Sequence, residues 1–231
     1  MLIDYPTFQQ RADEIQQRIR DLCRAAGRDP KSVTLMPVTK NHPAAAVEFA
    51  AQYGFASVGE NRVQEAVEKR GSTTANVRWE LIGHLQSNKA KLAVAHFERV
   101  QSVDSEKLLN ALDRAAADQN KTLAVLLQIN AGNDPAKFGA EPSDASRLLE
   151  VALTKTHLKV EGLMTIAPLS EDLSVARRTF ANLRAIRNRL VLETGQPLPE
   201  LSMGMSGDLD AAIAEGSTLV RIGTALYGTR N

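Results

Sequence analysis

Residues 200–226 read ELSMGMSGDLDAAIAEGSTLVRIGTAL and contain a strand, a helix and a second strand in succession. The first apolar run ends in a turn rich in glycine and serine, and a short alanine-rich segment follows before the second apolar run begins. Two strands joined by one helix are expected to lie parallel in the same sheet. This stretch therefore predicts a β/α unit in the C-terminal part of the chain.

Units of the same kind fill the rest of the sequence. Short apolar runs predict eight strands, at residues 33–40, 57–60, 78–85, 99–103, 123–130, 159–167, 200–206 and 219–226. Helical patterns fall between them near residues 43–53, 62–70, 87–96, 105–120, 143–156, 171–194 and 208–215. Eight strands separated by helices favour an α/β fold built as a single (β/α)8 TIM barrel, with an open doubly wound sheet as the main alternative. Pro37 lacks the N–H donor of a central strand, so we expect a local irregularity in the first strand.

An amphipathic helix precedes the first strand. Apolar residues recur at helical spacing within residues 7–26, and Gly27 ends the pattern. We predict a single barrel domain over residues 1–231, in which residues 1–30 form an extra N-terminal helix packed on the barrel. We expect this helix to plug the bottom of the barrel.

The composition argues against several classes of partner. Lys and Arg number 28 and Asp and Glu number 27, so the chain has no field of one sign to attract nucleic acid or an anionic membrane. The single cysteine, Cys23, cannot form an internal disulfide, which fits a reducing cytoplasm. No apolar run approaches the ~18–20 residues needed to cross a bilayer, and the histidines show no spacing typical of metal ligands. We therefore predict a soluble cytoplasmic protein with no metal site, no nucleic-acid partner and no membrane contact.

Lys40 ends the first strand, which reads VTLMPVTK. Side-chain alternation puts Lys40 on the same face as Met36 and Val38. A lysine at the end of an apolar strand can be desolvated, and a desolvated amine acts more readily as an imine-forming nucleophile. The alternative is a solvated lysine at the start of a loop.

The ends of the seventh and eighth strands favour an anion site. Ser206 and Gly207 stand where the N-cap of the following helix belongs, so backbone N–H groups would face an anion. Gly223 lets the backbone approach a ligand closely, and Thr224 adds a hydroxyl. Each motif alone fits an ordinary cap or turn. Together, at strands seven and eight, they favour a phosphate site at the C-terminal face of the barrel.

Arg221 shares a strand face with Gly223, which points its side chain into the barrel. A buried arginine stays charged and needs hydrogen-bond acceptors. It could equally be a structural arginine paired with a carboxylate.

Six segments together resemble a known family. They are VTLMPVTK, SVGENRVQEA, LIGHLQSNK, VEGLMTIAP, LSMGMSGDLDAAI and VRIGTALYG. In this order, between about residues 33 and 228, they resemble the pyridoxal 5′-phosphate (PLP) homeostasis protein family. Its members are single-domain PLP-binding proteins whose fold is like the barrel domain of alanine racemase.

The resemblance implies a role for each matching residue. Lys40 would form a Schiff base with PLP, and Asn61 would lie near the phenolic oxygen of the cofactor. Arg221 would face the pyridine nitrogen, and Met205 would pack beside the ring. The residues that would hold the phosphate are Ser206, Gly223 and Thr224.

Two residues depart from the family pattern. Pro37 replaces a small residue, and Arg62 stands where an aromatic residue often follows the GEN motif. Neither matches a presumed cofactor anchor, although Arg62 could alter what reaches the mouth of the site.

Three further residues have alternative interpretations. Asn61 could instead cap the helix that follows it. His84 is expected to be a satisfied core histidine, and Lys137 in PAKFG to be a solvated surface lysine rather than part of a loop over the site.

Two functions of different class fit a PLP-binding barrel. The protein could hold PLP and deliver it to PLP-dependent apo-enzymes, or it could be a PLP-dependent enzyme such as an amino-acid racemase. Racemisation needs an acid/base on each face of the substrate carbon, and in alanine racemase one comes from a separate β domain of the partner subunit. Because the chain ends at Asn231 without room for such a domain, we predict a non-enzymatic PLP carrier that is monomeric. A barrel that binds some other phosphate ester is a third reading.

Overall fold

The computed structural model describes residues 2–228, in which eight parallel strands close into a barrel. The strands are β1 (Thr34–Pro37), β2 (Ser57–Glu60), β3 (Arg78–Leu81), β4 (Arg99–Val103), β5 (Leu123–Gln128), β6 (Leu158–Met164), β7 (Glu200–Ser202) and β8 (Leu219–Ile222). They are hydrogen-bonded in the order β1-β8-β7-β6-β5-β4-β3-β2. A bridge between Val38 and Gly59 joins β1 to β2 and closes the ring. The predicted TIM barrel is confirmed.

Helices surround the strands. They are α1 (Tyr5–Ala25), α2 (Ala45–Tyr53), α3 (Val63–Gly71), α4 (Ala90–His96), α5 (Glu106–Asp118), α6 (Ala145–Leu153), α7 (Leu173–Thr194), α8 (Leu209–Ala214) and α9 (Thr224–Tyr227). Several begin at a residue whose side chain accepts a backbone hydrogen bond, as Asp4 does from Thr7 at 3.0 Å. Within residues 2–228, no helix is both long enough and apolar enough to span a bilayer.

Pro37 produces the irregularity expected of it. The backbone N–H of Val38 faces β8 and donates to Ile222 at 2.8 Å, whereas that of Thr39 faces β2 and donates to Gly59 at 3.0 Å. The nitrogen of Pro37 lies on the same side as that of Thr39 but has no hydrogen to donate. The contact between β1 and β2 is therefore concentrated at their C-terminal ends, where the bridge lies.

The inside of the barrel is partly apolar and partly polar. A small apolar cluster there consists of Met36, Val38, Ile82 and Leu219. Polar side chains occupy the remaining interior, among them Glu80, Arg99, Gln101, Ser202 and Arg221. The much larger apolar core lies between the strands and the surrounding helices. Buried charges inside the barrel consequently need polar partners from other strands.

Helix α1 packs sideways against other helices. The ring of Phe8 stacks on Tyr227 of α9 at 5.0 Å between centroids, and it lies 5.8 Å from Phe49 of α2. Arg18 pairs with Asp210 of α8 at 2.5 Å. Helix α1 therefore packs between α8 and α2, in a space that the short α9 is too small to fill. The expectation that it plugs the bottom of the barrel is wrong.

Several strands end earlier than their apolar patterns. β7 ends at Ser202 and β8 at Ile222, whereas the patterns ran to residues 206 and 226. The end of the eighth predicted strand is wrong, because α9 begins directly after Gly223. Apolar residues continue there since this helical turn is also buried against the core, and periodicity cannot separate a strand from a single helical turn.

Candidate functional site

A cleft of about 620 Å³ opens at the C-terminal ends of the strands. Its lining includes every residue that the sequence analysis assigned to the cofactor, which are Lys40, Asn61, Met205, Ser206, Arg221, Gly223 and Thr224. Apolar contacts come from Val38, Ile82 and Ile166. A cleft of this size, in which polar groups converge between apolar side chains, is typical of small-molecule and cofactor sites.

Lys40 enters the cleft from the end of β1. Met36 and Val38 lie in the barrel interior, and Lys40 continues their alternation on the cleft wall. The predicted face is therefore confirmed. The side chain is partly exposed, so it belongs to the cleft surface rather than to a solvated loop alone.

The residues on both sides of Lys40 are tied to α3. The Nζ of Lys69 donates to the backbone carbonyl of Thr39 at 2.6 Å. The backbone N–H of Asn41, which has a positive φ of 59°, donates to the carboxylate of Glu65. These bonds fix the backbone that carries Lys40 from either side.

A buried ion pair lies against the same loop. The carboxylate of Glu60 is fully buried and accepts hydrogen bonds from Lys69 Nζ at 2.7 Å and from Thr39 Oγ1 at 2.6 Å. Lys69 also donates to Glu65 at 2.7 Å. Burial raises the pKa of Glu60, and the charge and hydrogen bond of Lys69 oppose that rise. Lys69 thus compensates a buried carboxylate and anchors the Lys40 loop with the same ammonium group.

Arg221 points from β8 into the barrel and is only 4% exposed. Its Nη1 donates to both the carbonyl oxygen and the hydroxyl oxygen of Ser202, each at 2.7 Å, and its Nη2 donates to the carbonyl of Thr165 at 2.9 Å. Within residues 2–228 it forms no ion pair with a carboxylate, so the alternative of a carboxylate-paired arginine is wrong. Burial lowers the pKa of Arg221 to about 10, although the negative charge of Asp208 acts to raise it. The guanidinium therefore remains charged at neutral pH.

The turn after β7 differs from the predicted helix cap. Asp208 is the N-cap residue of α8, so Ser206 and Gly207 precede the cap instead of forming it. The Asp208 carboxylate accepts from the backbone N–H of Met205 at 2.5 Å, which closes the turn. Ser206 and Gly207 still line the cleft, because this turn lies over the end of the barrel.

Asn61 is fixed by a close approach between two strand ends. A Cβ atom at Gly83 would lie 2.2 Å from the carbonyl oxygen of Asn61, so only glycine fits there. Helix α3 begins at Val63 with Arg62 as its N-cap, and no side chain caps it. The alternative role of Asn61 as a helix cap is therefore wrong. Arg62 is exposed.

His84 and Lys137 both lie at the cleft, contrary to expectation. The His84 ring stacks on Phe138 at 3.9 Å between centroids, and its Nδ1 lies 3.5 Å from a carboxylate oxygen of Asp104. His84 is exposed rather than a core residue, because β3 ends at Leu81 and the chain has already left the barrel. Lys137 is half-buried and lines the cleft beside Phe138, so it is not the surface lysine that was expected.

Sequence reasoning missed the residues that support the cleft from outside. Glu60 offered a signal, because a charged residue that closes an apolar strand needs a buried partner. Lys69 offered none, since its contact with Glu60 spans nine residues and depends on how α3 docks. Gln128, whose side-chain amide holds the carbonyl of Phe138 at 2.8 Å, was equally invisible in the sequence.

Comparison with known sequences gives one family. The model described as "Alanine racemase, N-terminal domain" matches residues 11–231. The pyridoxal phosphate homeostasis protein of Pseudomonas aeruginosa is 39% identical over 226 residues, which cover 97% of this chain and 96% of the relative. The protein of the same name from Aquifex aeolicus is 36% identical and is covered to 97% of its length, with 96% of this chain matched.

Comparison with solved structures gives the same fold. PipY from Synechococcus elongatus, solved with PLP bound, superposes with a TM-score of 0.83 at 36% identity and covers 96% of this chain and 100% of its own. A protein from Bifidobacterium adolescentis superposes with a TM-score of 0.89 at 34% identity, with 97% of each chain covered. Alanine racemase of Clostridium difficile, at 15% identity and a TM-score of 0.75, shares the fold; the match covers 94% of this chain and 56% of the racemase.

Proposed function

The chain belongs to the pyridoxal phosphate homeostasis protein family, and we propose that it binds PLP in the cleft with Lys40 as the covalent anchor and acts in intracellular PLP homeostasis. The observation that carries the proposal is the convergence on one cleft of an amine, two hydroxyls and a buried guanidinium from strands one, seven and eight. PLP presents an aldehyde, a phosphate and a pyridine nitrogen, which match these three kinds of group. The relative PipY, whose structure was solved with PLP bound, supports PLP as the ligand.

Lys40 would hold the cofactor through a Schiff base to its aldehyde. When bound, PLP supplies an electrophilic carbon that exchanges between amines, together with a ring that withdraws electrons. The protein's own part is to present the Lys40 amine at a fixed place, and the bonds to Thr39 and Asn41 on either side support that role. Asn61 and Met205 would contact the phenolic oxygen and the ring face.

Ser206, Gly223 and Thr224 would form the phosphate site. They line the cleft together: Ser206 lies in the turn after β7, Gly223 directly follows β8, and Thr224 begins α9. Barrel proteins often bind phosphate in this region. Because the chain as a whole is nearly neutral, the anion must be held by local hydrogen bonds rather than by a general field.

Removal of either hydroxyl should weaken PLP binding. We expect Ser206→Ala and Thr224→Ala each to lose a hydrogen bond to a charged group, which contributes roughly 1.5–3 kcal/mol, or about tenfold to a hundredfold in dissociation constant. Titration of apo-protein with PLP, followed by absorbance, measures this. Pyridoxal, which lacks the phosphate, is the control and should bind both variants as it binds the parent. Equal losses for the two ligands would place the phosphate elsewhere.

Arg221 would face the pyridine nitrogen of the cofactor. A guanidinium only donates hydrogen bonds, so a nitrogen facing it stays unprotonated and the ring becomes a weaker electron sink. This arrangement favours holding and transferring the cofactor over stabilising substrate carbanions. The names of the curated relatives, which describe homeostasis, support the same reading.

A transfer assay distinguishes a carrier from an enzyme. We expect amino acids to perturb the cofactor absorbance by exchanging with Lys40 without appreciable racemisation, decarboxylation or transamination. We also expect holo-protein to activate a PLP-dependent apo-enzyme faster than free PLP does at the concentration in equilibrium with it. Steady turnover of any amino acid, if Lys40→Ala abolishes it, would favour the racemase-like alternative instead. If holo-protein activates the apo-enzyme no faster than free PLP does, the role is restricted to storage.

A further inference from the structure

A chain of hydrogen bonds runs through the barrel interior behind Arg221. Arg221 Nη1 donates to Ser202 Oγ at 2.7 Å, and Ser202 Oγ donates to Gln101 Oε1 at 2.6 Å. Gln101 Nε2 then donates to a carboxylate oxygen of Glu80 at 2.6 Å. All four side chains are buried, none more than 4% exposed. The guanidinium on the cleft is therefore connected to a carboxylate on the other side of the barrel.

The direction of every hydrogen bond in this chain is fixed from its Glu80 end. A carboxylate that also binds an arginine can only accept, so the Gln101 amide must present its NH2 group to Glu80 and its oxygen to Ser202. Since that oxygen also accepts only, the hydroxyl hydrogen of Ser202 must point to Gln101. The lone pairs of the hydroxyl are then left for Arg221. Bonds aligned in this way polarise one another in a low-dielectric interior.

The far end of the chain carries more negative than positive charge. Glu80 accepts from Arg99 at 2.7 and 3.2 Å, and Arg99 also pairs with Glu161 at 3.2 Å and Glu200 at 3.4 Å. Lys159 pairs with Glu161 at 2.8 Å. Among these residues, three carboxylates face two cations, which leaves one negative charge in excess. Arg221 is the buried positive charge at the opposite end of the hydrogen-bond chain. The charge of Asp208 also acts on Arg221 there, and the variants below leave Asp208 unchanged.

We propose that Ser202 and Gln101 are positioning residues that aim Arg221 at the bound cofactor, and that their aligned dipoles strengthen the effect of the negative charge of Glu80 on it. Glu80, on the far side of the barrel, thereby tunes how strongly Arg221 withdraws electrons from the pyridine ring. This inference rests on the proposed function, because it needs PLP in the cleft with its ring nitrogen facing Arg221. The inference gives a function to buried polar residues at positions where apolar side chains could otherwise fill the barrel interior.

The test is a pH titration of the visible absorbance of the holo-protein. Gln101→Met breaks the chain with a side chain of similar size, and Glu80→Gln removes the distant charge while keeping an acceptor for Gln101. Glu80→Gln removes the negative charge, and Gln101→Met removes the amide dipole aligned with it. In both variants the potential at the cofactor becomes more positive, so the protonated Schiff base is less favourable. We expect the titration midpoint to fall by about half a unit to one unit in both variants, or roughly threefold to tenfold in the protonation constant.

Val100→Ala is the matched control, because Val100 is fully buried beside Gln101 in β4 but packs in the outer apolar core. It should lose stability and titrate as the parent does. A Glu80→Gln protein that also titrates as the parent does would overturn the inference, and so would an equal shift in Val100→Ala. A parent protein without the visible absorbance of a Schiff base would instead contradict the proposed function, which keeps the two failures distinct.

Discussion

Lys40→Ala should abolish the covalent attachment of PLP. Borohydride reduction of the parent holo-protein is expected to leave a phosphopyridoxyl label on the peptide that contains Lys40, and the variant should carry no label. The physical reason is that Lys40 is the amine that β1 delivers to the cleft wall, next to the turns proposed to hold the phosphate. Mass mapping of the reduced peptides measures the result.

The variant should retain some PLP without a covalent bond, because Ser206 and Thr224 are unchanged. Lys137→Ala is the matched control, since Lys137 lines the same cleft from a different loop and its loss should leave the label in place. A label found on Lys89, Lys91 or Lys137 of the parent would refute the assignment of Lys40.

Lys69→Met should cause a large loss of folding stability. It leaves the carboxylate of Glu60 buried without its cation, and such an uncompensated charge typically costs about 3–5 kcal/mol. Urea unfolding at neutral pH measures the change. The exposed pair between Arg24 and Asp21 gives the contrast, because Arg24→Met should cost less than about 1 kcal/mol.

The deficit of Lys69→Met should depend on pH. Burial already raises the pKa of Glu60 in the folded parent, so its stabilising, protonated form is present at low pH and lost as the pH rises through the folded pKa. The Lys69 ammonium lowers the pKa of Glu60, so the pKa of Glu60 rises further when Lys69 is replaced. The loss relative to the parent should therefore be larger at pH 8 than at pH 5.

A double variant separates charge from packing. Adding Glu60→Gln to Lys69→Met removes the buried charge, so part of the lost stability should return. If the double variant is no more stable than the single one, the loss arises from the Lys69 contacts with Thr39 and Glu65 and not from the carboxylate. Weaker PLP binding by both variants would further indicate that the Lys40 loop depends on α3.

The repeated strand and helix patterns predicted the eight strands and favoured a barrel over an open doubly wound sheet. Apolar runs of period two can be read locally, and eight of them separated by helices leave few alternatives. The end of β8 was predicted too far along the chain, because the burial of Leu226 and Tyr227 in the short α9 looks the same as burial in a strand. The first helix was identified, whereas its place beside α2 and α8 depended on aromatic contacts that only the packed structure brings together.

For the site, too, some features were predictable from the sequence and others depended on the tertiary structure. The sequence alone predicted that Lys40, Ser206, Arg221, Gly223 and Thr224 lie at or near strand ends, and strands of a parallel barrel must bring their C-terminal ends to one face. Only the tertiary structure decided which groups compensate the charges there. Lys69 meets Glu60, and Ser202 and Gln101 link Arg221 to Glu80, through contacts between distant parts of the chain. A buried polar group needs a partner close to it in space, because burial without one carries the cost of desolvation. No local pattern in the sequence records which groups are close in space.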